Sequence, residues 1–266
     1  MLGIPNPPPG LPPEPSPDYL PLPKSVATYT PPKLPDDPEL RTAGTAWIDR
    51  LAAAMESGTP QTFDLTALTA PERRFLDEFL RPGEVTALAL GEPLLQAEET
   101  VFAGLWRIRS TEPGTDYLEI ADIPAILRTR AAAAPLPMPP PETIPPGLTN
   151  APHILAELLA RSAAFTANAT PYMLNLGLVP LTDAELTWLV TTLGEGPVII
   201  ISAGYGACRI RSTNLAHTWW VQFSNASDAL ILNSLEVTEI PAVACAAPDD
   251  IADSAKRLRA LRALYA

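Results

Sequence analysis

LTAPERRFLDEFLRPGEV, residues 68–85, lies without a gap over LTDAELTWLVTTLGEGPV, residues 181–198. The spacing of 113 pairs Glu72 with Glu185, Leu76 with Leu189, Leu80 with Leu193 and Gly83 with Gly196. Further along it pairs Val85 with Val198, Gly91 with Gly204, Ala103 with Ala216 and Trp106 with Trp219. Four extra residues then raise the spacing to 117. At that spacing Leu118-Glu119-Ile120 and Ile123-Pro124 fall on Leu235-Glu236-Val237 and Ile240-Pro241. Two copies indicate a duplicated domain rather than a solenoid, which needs about three repeats or more to cover its core.

Each copy reads as a helix, a short strand, a second helix and a strand meander. The leading helices are expected over Thr45–Ser57 and Pro152–Phe165, with Asn150 as an N-cap. In the second copy Thr182 precedes Glu185 by three residues, a capping-box spacing. Leu186, Leu189, Val190 and Leu193 follow as an apolar stripe at helical period. Val198–Ile201, Cys208–Thr213, Trp219–Phe223 and Leu230–Val237 alternate as strands, and Asp249–Tyr265 reads as a closing helix with acids first and bases last. The fold class is α+β: two homologous tandem domains, each with helices packed on a small antiparallel sheet.

Fourteen prolines between Met1 and Pro38 deny that stretch helix and ladder hydrogen bonds, and a second proline cluster fills residues 135–146. The expected organisation is a proline-rich disordered arm over 1–42, a first repeat over 43–130 and a proline-rich linker over 131–149. A second repeat with its C-terminal helix follows over 150–266. Thirty acidic against 18 basic residues give a net charge of -12, which disfavours nucleic acid as a partner and favours a cationic one. No basic residue precedes Lys24, and no apolar run approaches the ~20 residues of a membrane span. The expectation is a cytoplasmic protein without membrane insertion.

The stretch ISAGYGACRIRSTN, residues 201–214, has the glycines of a phosphate cradle, but Gly204-Tyr205-Gly206-Ala207-Cys208 lies over Gly91-Glu92-Pro93-Leu94-Leu95. A strand-to-strand turn is therefore expected there, because a cradle leads into a helix. Cys208 replaces Leu95 and shares a face with Ile210, as a small buried hydrophobe would. The other reading makes Cys208, with Cys245, a metal or cluster contact. No metal site or bound cofactor is expected, since His153 and His217 complete no ligand spacing. No catalytic residue is expected either: GxSxG is absent and Asp249-Asp250 suit a helix start. Strand alternation puts Trp219 on the core face with Val221 and Phe223. Trp220 and Gln222 fall on the other face with Arg209 and Arg211, and are matched in the first copy by Arg107 and Arg109. With Tyr205 these residues form a candidate partner-binding face; alternatively, a helix of the same copy covers Trp220.

The second copy, with LGEGPV, GYGACRI, Trp219-Trp220-Val221-Gln222, ILNSLEV and IPAVACAAPDD, resembles the HupH/HyaF family of hydrogenase expression/formation proteins. The first copy carries the half-pattern Glu99-Thr100, Ala103-Gly104, Trp106-Arg107, and the likeness spans about residues 43–255. The resemblance implies an accessory protein, not an enzyme, in the maturation of a [NiFe] hydrogenase. Its implied partners are the iron-sulfur small-subunit precursor, escorted before assembly and export, and other maturation proteins. The second reading is an iron-sulfur or metal handling protein using Cys208 and Cys245. Arg81-Pro82, standing where the second copy has Gly194-Glu195, departs from equal roles for the two copies.

Overall fold

The computed structural model describes residues 29–112, 114–133, 144–167, 169–203, 207–227 and 229–265. Along the chain run α1 (Pro38–Glu56), β1 (Gln61–Asp64), α2 (Ala70–Leu80), β2 (Pro82–Ala89), β3 (Leu95–Thr100), β4 (Leu105–Ser110), β5 (Asp116–Ile120) and α3 (Ala125–Ala132). They are followed by α4 (Ala151–Ala163), β6 (Tyr172–Asn175), α5 (Asp183–Leu193), β7 (Val198–Ser202), β8 (Ala207–Ser212), β9 (Thr218–Ser224), β10 (Leu230–Val237) and α6 (Pro248–Leu264). Helices and antiparallel strands make the class α+β, as the sequence indicates.

The chain divides into two compact units. In the N-terminal unit, formed by the described residues of 29–130, 198–203 and 242–265, the strands lie in the order β1-β5-β4-β3-β2-β7, antiparallel throughout. Its core packs Ile48, Leu51 and Met55 of α1, Phe75 and Phe79 of α2, and Leu258 of α6 against Phe63, Leu105 and Leu118 of the sheet. In the C-terminal unit the order is β8-β9-β10-β6. There Leu155 and Leu158 of α4 and Leu189 and Leu193 of α5 pack against Trp220 and Leu235. Burial of such side chains contributes about 1.5–3 kcal/mol each, which is why both helix pairs lie on their sheets.

The same hydrogen bonds recur at the sequence spacing. Thr100 Oγ1 donates to the Phe102 carbonyl and Thr213 Oγ1 to that of Leu215, each at 3.2 Å. Ala121 N–H donates to Gly104 O at 3.0 Å and Thr238 N–H to His217 O at 2.8 Å, while Trp106 Nε1 reaches Ala121 O and Trp219 Nε1 reaches Thr238 O. Gly104 and His217, which correspond, both have positive φ, 79° and 57°. A Cβ at Gly83 would collide with the Thr100 carbonyl, and one at Gly196 with that of Thr213. In the β2–β7 pair, Ala87 stands opposite Ile200, its own counterpart at the 113 spacing.

Several features differ from expectation: β7, expected within the second repeat, pairs with β2 in the N-terminal unit. Helix α1 starts at Pro38, because the Asp37 carboxylate accepts from the Glu39 N–H at 2.9 Å and proline suits the first turn. Residues 29–42 are therefore no free arm: Tyr29 and Leu34 pack on the N-terminal core, and Tyr29 Oη donates to Phe79 O at 2.9 Å. The remainder of the expected arm, 1–28, and the linker prolines within 134–143 lie outside the described residues. Asn150 makes no side-chain cap on α4. Glu185 does that work, its Oε1 accepting from the Thr149 and Asn150 N–H groups at 2.8 and 2.6 Å, while Oε2 closes the capping box with Thr182. The closing helix was expected with the second repeat. Instead α6 packs along α1 in the N-terminal unit, where Ala255 and Leu258 enter the core and Arg259 pairs with Glu56 and Arg262 with Asp49.

Candidate functional site

Strand β4 (LWRIRS) presents Arg107 and Arg109 on the face beneath α2. Arg107 is 8 % exposed, and its guanidinium donates to both Asp116 oxygens at 2.9 Å and to Asp77 of α2. Arg73 reaches the same Asp116 carboxylate. Burial raises the pKa of Asp116, but the hydrogen bonds and charge of Arg107 outweigh it, and the net direction is down. Arg109 pairs with Glu98 of β3, whose other oxygen accepts from Gln96 Nε2 at 3.2 Å.

Beside this network lies a cavity of about 250 Å³, bounded by Leu80, Arg81 and Pro82 where α2 passes into β2, and by Asp77, Glu98, Thr100, Arg107 and Arg109. Glu99 also borders it, accepting the Gly104 N–H at 2.9 Å. Burial pushes its carboxyl up to about 7 against that hydrogen bond, and the charges of Glu84 and Asp250 add to the rise. Three guanidinium groups, the carboxylates of Asp77 and Glu98 and two apolar walls suit recognition of an amphipathic group.

The corresponding positions of the C-terminal unit hold the residues expected to form a binding face. Trp220 stands for Arg107, Asn233 for Asp116, Arg211 for Glu98 and Gln222 for Arg109. The pairing survives the change of chemistry. Trp220 Nε1 donates to Asn233 Oδ1 at 2.5 Å, and Arg211 Nη2 donates to Gln222 Oε1 at 3.5 Å and pairs with Glu195 at 3.0 Å. The structure thus brings Arg211, Trp220 and Gln222 together on one face. It corrects the exposed role for Trp220, which is 5 % exposed beneath α4 and α5 among Leu155, Leu189 and Leu235. Arg209 is half-buried on β8, and Tyr205 lies outside the described residues. Trp219 is core, as alternation required.

β7 ends at Ser202 and Ala207-Cys208-Arg209 open β8, so a strand and not a helix follows Gly204-Tyr205-Gly206, which lie outside the described residues. Cys208 is buried beside Ile210 on β8, and burial, helped by the Glu236 charge, pushes its thiol up to about 11. Thiolate, the form that ligates and attacks, is scarce there at neutral pH. Cys245 is partly exposed and lies in the N-terminal unit, Cys208 in the C-terminal one. Among the described residues no three His, Cys, Asp or Glu side chains converge as metal ligands, and no helix is long and apolar enough to cross a membrane. His217 stacks on Phe165 with ring centroids 3.9 Å apart, and burial lowers its pKa.

Sequence reasoning missed the Asp77–Arg107–Asp116 network and the Glu98–Arg109 pair. The signal was present in the offsets: at the 113-residue spacing Glu98 and Arg109 fall on Arg211 and Gln222, so a polar pair stands at both sets of positions.

A family model described as the C-terminal conserved region of the HupH hydrogenase expression protein matches residues 148–265. The chain is 39 % identical over 257 residues to the hydrogenase expression/formation protein HupQ of Azotobacter chroococcum mcd 1, covering 92 % of this chain and 90 % of that protein. It is 41 % identical over 250 residues to HupH of Rhodobacter capsulatus, covering 91 % and 88 %. A solved structure, the hydrogenase expression protein HupH from Thiobacillus denitrificans ATCC 25259, matches with a TM-score of 0.41 and 26 % identity over 43 % of this chain and 95 % of that one. With relatives this similar over nearly their whole length, the chain belongs to the HupH/HyaF family of hydrogenase expression/formation proteins.

Proposed function

We propose that this protein is a non-enzymatic chaperone of two homologous tandem domains that acts in the cytoplasm in the maturation of a [NiFe] hydrogenase. In this role it escorts the iron-sulfur small-subunit precursor before assembly and export, alongside other maturation proteins. The observation that carries the proposal is the match to proteins named for hydrogenase expression/formation along 92 % of the chain rather than along one module of it. The duplication is supported by the hydrogen bonds of Thr100 and Thr213, and of Trp106 and Trp219, which recur at the sequence spacing. A net charge of -12 favours encounter with a precursor carrying a basic export segment. The burial and raised pKa of Cys208 weigh against the iron-sulfur handling reading.

Capture of the full chain from cells making a [NiFe] hydrogenase tests the proposal. The small-subunit precursor is expected to co-purify, and the anaerobically purified chaperone alone to lack the visible absorption of a cluster. Capture without any hydrogenase subunit would overturn the escort role; a coloured protein would favour cluster handling.

A further inference from the structure

In the C-terminal unit, the face below α5 is filled by the Trp220 indole, which packs in the cluster of Leu189 and Leu193 and donates its N–H to Asn233. In the N-terminal unit, the matching strand position carries Arg107, held toward Asp116 and Asp77, and a cavity of about 250 Å³ opens beside it. Leu80, the counterpart of Leu193, remains as an apolar wall, joined by Pro82. The space is smaller than the roughly 300–1,000 Å³ of ordinary ligand pockets, a size for one side chain rather than a cofactor.

The lining selects the chemistry. Arg107 is matched by Asp77 and Asp116, and Arg109 by Glu98. Charges already paired in this way favour neither a free anion nor a free cation. A neutral planar ring matches better: it rests on the Leu80 and Pro82 walls, stacks on a flat guanidinium and gives a ring N–H to a carboxylate.

We propose that this cavity is an anchor pocket for a tryptophan side chain of a partner polypeptide, taking in trans the ring that the C-terminal unit supplies from its own Trp220. The inference rests on the equivalence of the two copies and gives the chaperone reading a contact point. One buried aromatic anchor commonly dominates a protein interface.

The probe is N-acetyl-tryptophanamide added to the isotope-labelled full chain, with N-acetyl-leucinamide and N-acetyl-argininamide as controls. Saturable NMR shifts are expected at Leu80, Arg81, Glu98 and Thr100 with the tryptophan probe alone. Scattered shifts, unsaturable shifts or equal responses to a control would overturn the proposal. The double variant Arg107→Trp, Asp116→Asn rebuilds the Trp220–Asn233 pair and fills the cavity from within. It is expected to bind the probe at least about tenfold more weakly while retaining its Tm. Undiminished binding by the folded variant would also overturn the pocket, and the wild-type titration decides the matter should the variant fail to fold. Capture of the small-subunit precursor is scored separately. Probe binding without capture removes the escort reading and leaves the pocket, whereas capture without probe binding removes the pocket alone.

Discussion

Asp116 holds together the charge network of the N-terminal unit, accepting from Arg107 and Arg73 at once. Asp116→Ala is expected to cost about 3 kcal/mol in urea unfolding, because the 8 %-exposed Arg107 would keep only Asp77 as a counter-charge. Asp116→Asn, which keeps an acceptor, should cost less. Glu99 is the opposite case: burial raises its carboxyl to about 7 from the usual 4.5. Folding then favours the protonated form, so this carboxyl's contribution to stability is fully present below about 4.5 and is lost as pH rises through about 7. Glu99→Gln, which can still accept the Gly104 N–H, should remove that slope and raise stability at pH 8 by on the order of 2 kcal/mol, read from unfolding free energies across pH. Strand alternation separated Trp219 from Trp220, since successive side chains point to opposite faces. It could not tell that Trp220's face is roofed. That depends on α4 and α5, whose leucines come from 25 to 70 residues earlier in the chain.

The capping box at Thr182 and Glu185 is legible because its two partners are three residues apart. The second task of Glu185 is not, for its other oxygen serves backbone N–H groups some 35 residues earlier. Helix α6 shows the same division. Its start, its end and its charge gradient can be read from the residues, but its partner α1 lies about 200 residues away. Ile251 of α6 lies against Gly104, where a Cβ would meet its Cγ1 at 2.5 Å. Truncation after Ala247 is therefore expected to strip hydrogen-exchange protection from α1 and lower Tm, while α4 and α5 of the C-terminal unit stay protected. Equal loss in both units would show that α6 does not act locally on α1.

Across the whole chain, positions related by the 113- and 117-residue spacings differ in whether they keep their residue. Trp106 with Trp219, Thr100 with Thr213 and Glu119 with Glu236 keep their residue and are buried. Positions that change, Arg107 with Trp220 and Glu98 with Arg211, lie on the face under the second helix, where one unit is left with a cavity. Arg81-Pro82, the departure from the second copy's Gly194-Glu195, borders that cavity as well.

By itself the sequence determined the α+β class, the strand faces and the ends of α5 and α6, because period, caps and alternation act between residues close in the chain. It also carried the 113-residue and 117-residue correspondences, since matched spacing needs no coordinates. Only the tertiary structure decided that α6 packs on α1, that Tyr29 and Leu34 pack on the core, that Trp220 is covered and that Arg107 leaves a cavity beside it. Each of these turns on burial between segments distant in sequence, and the free energy of burial depends on which surfaces meet rather than on the order in which they are encoded.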